Sequence, residues 1–278
     1  MEENPSPACA CGAPNRGDLE DGTLARMWSP APARATTYQS PWAADASPVL
    51  WCSATVPDVG FLFRQCRTPE RGIGDAAFAA AAVRLGVQEA AIRAVAEVET
   101  KQSAFDASGR PTILYERHYF RRLTGGRFDT SHPDLSGPPY GRGGYGLMSA
   151  QYGRLQAAHA LDPWAALQSV SWGRFQIMGS HYATLGYASP QHMALALAQS
   201  EVAHLEGFVA FVMASPRCLR GLRSLDWATF ASCYNGANYA EYDYDTQMRQ
   251  AYERLTRAAP AADPAASAAR ALVPRRLP

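Results

Sequence analysis

The 278-residue sequence contains almost no lysine: Lys101 is the sole lysine among 26 basic residues, and arginine supplies the rest. It also lacks an excess of charge of either sign, because 25 acidic residues leave a formal net charge of +1. This balance excludes the strong positive field that attracts nucleic acid or anionic membranes. We therefore expect no nucleic-acid partner, and the local basic candidates are Arg117, Arg121, Arg122 and Arg127.

Long apolar runs are also missing, and no stretch approaches the ~20 apolar residues of a membrane-spanning helix. We therefore expect no stable membrane insertion. The first residues, MEENPSPACACG, combine neither a basic start nor an apolar core, so they do not fit a secretory signal. If the protein acts outside the cytoplasm, we expect it to leave by another route.

The six cysteines form no recognisable framework. Cys9 and Cys11 are only two positions apart and have no matching second pair, which argues against a zinc site. Cys218 and Cys233 lie among apolar residues, and we expect both to be small buried hydrophobic residues.

Composition divides the chain into three zones. Residues 1–69 are rich in Pro, Ala, Ser and Thr without a sustained period, and we expect them to be poorly ordered. Residues 70–257 alternate helical periods with Gly-rich turns, which predicts one folded domain. Residues 258–278 form an Ala/Pro/Arg tail with little apolar surface to bury, and we expect disorder there.

Helical patterns dominate the middle zone. The predicted helices include DAAFAAAAVRLG, ending at Gly86, and a longest helix that begins at the N-cap Ser189 and runs through VAFVMAS. TILY, at residues 112–115, is β-prone, and the Gly-, Pro- and Tyr-rich residues 129–146 are typical of a functional surface loop. We therefore predict an all-α fold with at most a small β-hairpin near residues 112–115 and 140–147.

One carboxyl group is well placed for acid catalysis. In AIRAVAEVET, Ile92, Val95 and Glu99 fall at i, i+3 and i+7 and so share one helical face. Burial on this face, at the negative end of the helix, favours a raised pKa for Glu99, as an acid that protonates a leaving oxygen requires. Glu97 lies about 140° around from Ile92 and is expected to face water. The alternative is that Glu99 is an ordinary exposed residue at a helix end.

Three segments, AVAEVET, SWGRFQIM and YNG, occur in this order. They resemble the lysozyme-like superfamily, which includes goose-type lysozymes and lytic transglycosylases. More closely, ILYERHYFRRLTGGRFDTSHPDLS and SWGRFQIMG are similar to the N-acetylmuramidase domain of phage endolysins, from about Gly74 to Leu255. The resemblance implies a lysozyme-like helical domain that cleaves the MurNAc–GlcNAc bond of bacterial peptidoglycan.

Carried over by position, the resemblance implies that Glu99 is the catalytic acid and that Glu116, in YERH, is a second carboxylate. A second carboxylate could activate a water on the opposite sugar face if the two carboxyl groups lie ~6.5–9.5 Å apart. Glu116 could instead be a helix N-terminal residue that interacts favourably with the helix dipole or pairs with Arg117. Asp129 and Asp134 are alternative second carboxylates.

Further residues are candidates for substrate binding: Gln176, Tyr234, Asn235, Trp172 and His118, with Tyr140, Tyr145 and Tyr239 as further rings that could stack on sugars. The resemblance implies that Gln176 hydrogen-bonds an N-acetyl group and that Tyr234 and Asn235 close the sugar cleft. Each has a structural alternative, because Asn before Gly commonly ends a helix and aromatic residues are as often core. His118 lacks partners at metal-ligand spacing, so no metal is expected.

Three functions compete for this sequence. The preferred one is an N-acetylmuramidase that needs no cofactor, because acid–base glycoside hydrolysis uses none. A lytic transglycosylase, which leaves anhydro-MurNAc ends, needs only one acid, and a non-catalytic peptidoglycan-binding module is the third possibility. From the resemblance to phage and prophage lysis enzymes we expect a monomer, made in the cytoplasm, that acts on periplasmic peptidoglycan after release.

Overall fold

The computed structural model describes residues 58–63, 68–99, 103–141 and 144–258. Within these ranges the fold is mainly helical, as predicted. The helices are α1 (Asp75–Leu85), α2 (Glu89–Glu99), α3 (Arg117–Leu123), α4 (Gln151–Leu161), α5 (Pro163–Gln168), α6 (Pro190–Leu197), α7 (Glu201–Ala214), α8 (Pro216–Ser224), α9 (Trp227–Tyr234) and α10 (Tyr244–Ala258). The strands are β1 (Ile113–Tyr115), β2 (Val170–Trp172) and β3 (Ile177–Met178).

The chain forms two compact units, and each is built from separate stretches of sequence. The first unit combines the described residues up to Glu70 with those of Phe105–Ser171 and Met178–Gln199. The second combines the described residues of Arg71–Ala104, Trp172–Ile177 and Ser200–Ala258.

Part of the N-terminal zone is ordered, which corrects the expectation for residues 1–69 at this point. A 3₁₀-helix spans Gly60–Phe63, and its Leu62 is completely buried together with the preceding Val59. The ring of Phe63 meets that of His159 on α4 edge-on at 5.3 Å. The apolar segment VGFLF is therefore part of the first unit's core. The expected disorder of residues 1–57 and of the tail from residue 259 falls outside the described residues.

The three-stranded sheet has the order β1-β2-β3. TILY does form a strand, but its predicted partner near residues 140–147 is wrong, because β1 neighbours the completely buried β2 instead. The buried Gln151 side chain links β1 to the loop: its Oε1 accepts from Tyr115 N–H at 3.0 Å, and its Nε2 donates to the Tyr145 carbonyl at 2.8 Å. A buried amide whose hydrogen bonds are made in this way fixes the loop in an irregular conformation.

The predicted longest helix is two helices, because the chain breaks at residues 198–200. Ser189 caps α6 as predicted and accepts from His192 N–H at 3.2 Å. Ser200 caps α7 in the same way, accepting from Ala203 N–H at 3.1 Å. A serine hydroxyl that satisfies the exposed N–H groups of a first turn favours a helix start over a continuous helix.

Helix α2 is the central helix of the second unit. Its Ile92 and Val95 are completely buried, and it packs against α10 and α1. The packing is accompanied by a hydrogen bond of 2.7 Å from Tyr252 on α10 to Gln88, the residue before α2, and by an ion pair between Arg93 and Asp75 on α1. The apolar stripe predicted from the sequence is therefore the face that the second unit buries.

Helices α8 and α9 are joined by a disulfide between Cys218 and Cys233, whose Cα atoms lie 5.5 Å apart. This finding corrects the expectation that both residues are simply buried hydrophobic side chains. The sequence could not indicate the pairing, because it depends on how closely the two helices approach. That approach is close: a Cβ atom on Gly221 would lie only 2.8 Å from the backbone nitrogen of Phe230.

No single helix in the described ranges is long and apolar enough to cross a membrane, whereas α7 and α8 taken together reach the length and composition but are bent by 104°.

Two helical glycines test the packing of α8 against α9. Gly221→Ala places a methyl group against the backbone of Phe230 and should lower the free energy of unfolding by about 1–3 kcal/mol. Gly153→Ala, on the open surface of α4, should instead raise it by about 0.5–1 kcal/mol, because alanine has the higher helix propensity. Urea denaturation of both variants measures the difference. Equal stabilities of the two variants would contradict the close approach of α8 and α9.

Candidate active site

Glu99 is the last residue of α2, and its surroundings belong to the second unit. The side chain is partly buried and continues the stripe of Ile92 and Val95, as the sequence predicted. Glu97 is exposed, also as predicted, and forms an ion pair with Arg254. Helical phase therefore separates two neighbouring carboxyl groups into a buried environment and a solvated one.

Asn235 contacts the Glu99 carboxyl group directly. Its Nδ2 donates to Glu99 Oε1 at 2.7 Å. Asn235 is the C-cap residue of α9, where its backbone N–H donates to the Ala231 carbonyl at 2.8 Å. The Oδ1 atom of Asn235 is buried and has no hydrogen-bond partner among the described residues. This side chain therefore has a single partner, Glu99, and an unsatisfied acceptor beside it.

Burial raises the pKa of Glu99 from 4.5 to about 7, and the hydrogen bond from Asn235 opposes that rise. Loss of hydration disfavours the charged carboxylate, whereas a donor to the carboxylate favours it. Burial, and then the charge of Glu99, raise the pKa of Tyr234 above its usual range, so its hydroxyl keeps its proton. Around neutral pH the Glu99 carboxyl group can therefore hold a proton and release it.

The turn between β2 and β3 carries Gln176. Tyr234 OH donates to the Phe175 carbonyl at 2.6 Å, and the Gln176 side chain donates to the Gly173 carbonyl at 2.7 Å. Gln176 has a φ of 46°, a left-handed conformation that a residue with a side chain rarely adopts. Strain of this kind persists only where the surroundings enforce it, and it concentrates at functional sites.

Two residues of helix α7, Glu201 and His204, hold this turn in place, and the sequence analysis did not identify either of them. Arg174 pairs with Glu201 at 2.7 Å, and its backbone N–H donates to His204 Nδ1 at 3.1 Å. Gly173 leaves no room for a side chain, because an added Cβ would lie 2.5 Å from the His204 ring. The signal in the sequence was a glutamate and a histidine three positions apart in the first turn of a helix that is mostly apolar.

The position of Trp172 does not match the one expected for a sugar-binding residue. Its side chain is only 2% exposed, so the ring has almost no free face on which a sugar could stack. It belongs to the core beneath the turn rather than to an accessible surface.

Glu116 lies in the first unit, at the N-cap of α3. Its carboxyl oxygens accept from Tyr145 OH at 2.9 and 3.1 Å, and His118 Nδ1 lies 3.2 Å from Glu116 Oε2. Of the two expected alternatives, Glu116 does lie at a helix N-terminus, whereas pairing with Arg117 does not occur, because that guanidinium donates to the carbonyls of Pro133 and Pro138. The structure therefore brings Glu116, His118 and Tyr145 together.

The alternative second carboxylates differ in their surroundings. Asp129 accepts from Ser136 and pairs with Arg121, and these two contacts lower its pKa. Asp134 is exposed. An aspartate that is already bound to a guanidinium is poorly suited to accept a proton from water, so Glu116 is the better candidate in this unit.

Tyr140 and Tyr145 form an edge-on pair with ring centres 5.2 Å apart, and the Arg117 guanidinium stacks on Tyr140 at 4.3 Å. Tyr239 lies in a short 3₁₀-helix, Tyr239–Tyr242, of the second unit. These aromatic rings remain predictions as stacking platforms.

Comparison with known proteins supplies the remaining findings. The sequence profile of the N-acetylmuramidase family matches residues 88–256. The chain is also similar to the crystal structure of the Burkholderia AP3 phage endolysin, with 44% sequence identity and a TM-score of 0.61. The alignment covers 69% of this chain and 74% of that one. No curated protein matches this chain.

The raised pKa of Glu99 makes stability depend on pH in a defined direction. Below pH 4.5 the carboxyl is protonated in both states, and between 4.5 and about 7 only the unfolded chain releases the proton. Stability therefore falls as the pH rises through this window. Glu99→Gln should be more stable than the wild type by about 3 kcal/mol at pH 8 and equally stable at pH 4.

Chemical denaturation at the two pH values measures this effect. Glu97→Gln is the matched control, because the exposed Glu97 should show no stabilisation at either pH. A Glu99→Gln variant with the same stability difference at both pH values would show that Glu99 ionises normally.

Proposed function

The chain belongs to the N-acetylmuramidase family, and from this premise we propose that it hydrolyses the MurNAc–GlcNAc bond of peptidoglycan with Glu99 as the general acid. The observation that carries the proposal is the raised pKa of Glu99, about 7, at the end of a buried helical face. A general acid works best when its pKa lies near the working pH, because it must hold its proton in the ground state and release it in the transition state.

The neighbours of Glu99 have complementary roles in this proposal. Asn235 orients the carboxyl group through its 2.7 Å hydrogen bond. Gln176, held on its strained turn, contacts an N-acetyl group of the sugar, and Tyr234 supports that turn through the Phe175 carbonyl. Trp172 acts from the core as a support for the same turn. Polar groups of this kind, held rigidly by packing, are typical of specific ligand sites.

Glu116 is the proposed second carboxylate. The hydroxyl group of Tyr145 donates to both carboxyl oxygens and so holds the carboxylate in a defined orientation. A carboxylate oriented in this way suits a general base that removes a proton from the attacking water. His118, whose Nδ1 lies 3.2 Å from Glu116 Oε2, is proposed to contact the sugar beside this carboxylate.

The similarity to a phage endolysin supports the biological setting. We propose that the protein acts as a monomer on periplasmic peptidoglycan after release from the cytoplasm. Size-exclusion chromatography with light scattering tests the monomer, and lysis of cells with permeabilised membranes but not of intact cells tests the need for release.

Substitution of the two glutamates separates hydrolysis from the lyase reaction. Glu99→Gln should reduce fragment release from purified peptidoglycan by at least about 100-fold, because general acid catalysis is typically that large. Glu116→Gln should cause a similar loss if water is the nucleophile. The exposed Glu97→Gln should retain wild-type activity.

Mass spectrometry of the released fragments identifies the reaction independently. Reducing MurNAc ends support the hydrolase, whereas anhydro-MurNAc ends, together with a nearly normal rate for Glu116→Gln, identify a lytic transglycosylase. Full activity of a folded Glu99→Gln protein would rule out Glu99 as the acid in either reaction.

The pH profile of kcat/KM should report on Glu99. Activity should decline as the pH rises through about 7, because the acid must be protonated. Asn235→Ala removes a donor that lowers the pKa of Glu99, so this alkaline limb should move to higher pH. The exposed Asn238→Ala is the control and should leave the limb unchanged. An unchanged limb in Asn235→Ala would mean that Glu99 does not set it.

A further inference from the structure

The disulfide between Cys218 and Cys233 lies next to the acid in sequence. Cys233 is followed directly by Tyr234, the last residue of α9, and by Asn235, which donates to Glu99. The cross-link therefore constrains α9 within one turn of the residue that contacts the carboxyl group. The last turn of a helix is the part that most readily frays.

Asn235 needs such a constraint, because little else holds its side chain in place. Its Nδ2 has Glu99 as its partner, and its buried Oδ1 has none within the part of the chain that the structure describes. An unsatisfied buried acceptor favours any movement that returns it to water. The position of the amide therefore depends on where the backbone at the end of α9 is held.

The neighbouring contacts hold α9 as far as Tyr234, and among the described residues the next residue, Asn235, is held by its backbone bond to Ala231 and its side-chain bond to Glu99. Tyr234 packs between Phe230 and Phe211, with ring centres 5.3 Å from each, so the helix itself should stay in place without the cross-link.

Beside the disulfide, α8 and α9 pack closely at Gly221 and Phe230. Nearer the cross-link lie a contact of 3.3 Å between Ser215 Oγ and Cys233 Sγ and an exposed hydrogen bond of 3.0 Å from Arg217 to Ser232. Exposed bonds of this kind constrain position weakly.

We propose that the Cys218–Cys233 disulfide is a positioning element of the acid site, which makes acid catalysis by this protein dependent on its thiol–disulfide state. The proposal rests on the proposed function of Glu99. In the oxidised state, the cross-link holds Asn235 against the Glu99 carboxyl group. In the reduced state, the last turn of α9 loosens and this hydrogen bond is made only part of the time.

The redox step is ordinary thiol–disulfide exchange with a small dithiol or a glutathione-type thiol. A thiolate attacks Sγ of Cys233, a partly exposed residue, because Cys218 is completely buried, and the Cys218 thiolate leaves. A second thiol then releases Cys233. In sum, one protein disulfide and two thiols give two cysteine thiols and one external disulfide, and oxidised glutathione reverses the reaction.

The charges of the other ionisable groups around α2 do not depend on the redox state of the disulfide, so they do not produce the expected change in the pKa of Glu99. Tyr234 on α9 keeps its proton, Arg254 on α10 pairs with Glu97, and Asp75 on α1 pairs with Arg93. A difference between the two states in the titration of Glu99 therefore reports on Asn235.

The test uses the full chain with the other four cysteines, at positions 9, 11, 52 and 66, changed to serine, after its activity is checked against the wild type. Thiol titration must show two thiols per molecule after reduction and none before it. The alkaline limb of kcat/KM should then move up by about half a pH unit. Activity below the limb should fall by about tenfold, since small misplacements of catalytic groups have effects of this size. Oxidised glutathione should reverse both changes.

Two variants separate positioning from stability. In Asn235→Ala, reduction should no longer move the limb, because the bond through which the disulfide acts is already absent. Leu85→Ala removes a completely buried side chain from α1 and lowers stability without touching Asn235, so its limb should match that of the oxidised parent. If the alkaline limb of Leu85→Ala shifts as far as that of the reduced parent, the effect of reduction is a loss of stability and the proposal is overturned.

A readout that does not need turnover keeps this inference distinct from the proposed function. Carboxyl ¹³C NMR gives the pKa of Glu99 directly, and this pKa should rise on reduction. If oxidised protein releases no fragments, the proposed function fails while the NMR shift still tests the positioning. If fragments are released and neither the limb nor the NMR pKa changes in fully reduced, folded protein, the disulfide is purely structural and the inference is wrong.

Discussion

Burial of an ionisable carboxyl group costs free energy, because the charged form loses its hydration. Glu99 is such a group, at the end of α2, and burial raises its pKa to about 7. The rest of the second unit limits how large the cost becomes. Asn235 donates one hydrogen bond to the carboxyl group, which keeps the ionised form accessible. Without burial the acid would be ionised near neutral pH, and without Asn235 it would hold its proton more tightly. The balance between these two effects sets the pH range in which the proton can be transferred.

The turn between β2 and β3 shows how a strained element is held. Gln176 adopts a left-handed conformation, and every residue of the turn before it is fixed by α7 or α9. Gly173 lies against His204, Arg174 pairs with Glu201, and Phe175 stacks on Phe208 at 4.6 Å. A largely buried ion pair contributes orientation more reliably than stability, because the desolvation of both charges offsets much of their attraction. The main effect of the Arg174–Glu201 pair is therefore to hold the turn in its conformation.

The sequence predicted what depends on local pattern. Helical phase correctly separated Glu99 from Glu97, and capping residues correctly marked Gly86 and Ser189 as helix ends. Features that depend on approach between distant segments were missed or wrong. The Cys218–Cys233 bond requires two helices to meet, the partner of β1 is β2 rather than the 140–147 loop, and Tyr145 reaches Glu116 through a loop conformation fixed by Gln151. Trp172 illustrates the same limit, because its aromatic character alone could not show that it is buried.

The packing of α2 against α10 has a consequence for how the protein is made. The two helices are far apart in the chain: Tyr252 contacts Gln88 across 164 residues, and Arg254 contacts Glu97 across 157. During synthesis, the helix that carries Glu99 leaves the ribosome long before the helix that covers it. Contacts between such distant segments form late and slow folding, because the loop between them must close first. The acid site is therefore assembled only after α10 has been synthesised, and chains that end before α10 leave α2 uncovered.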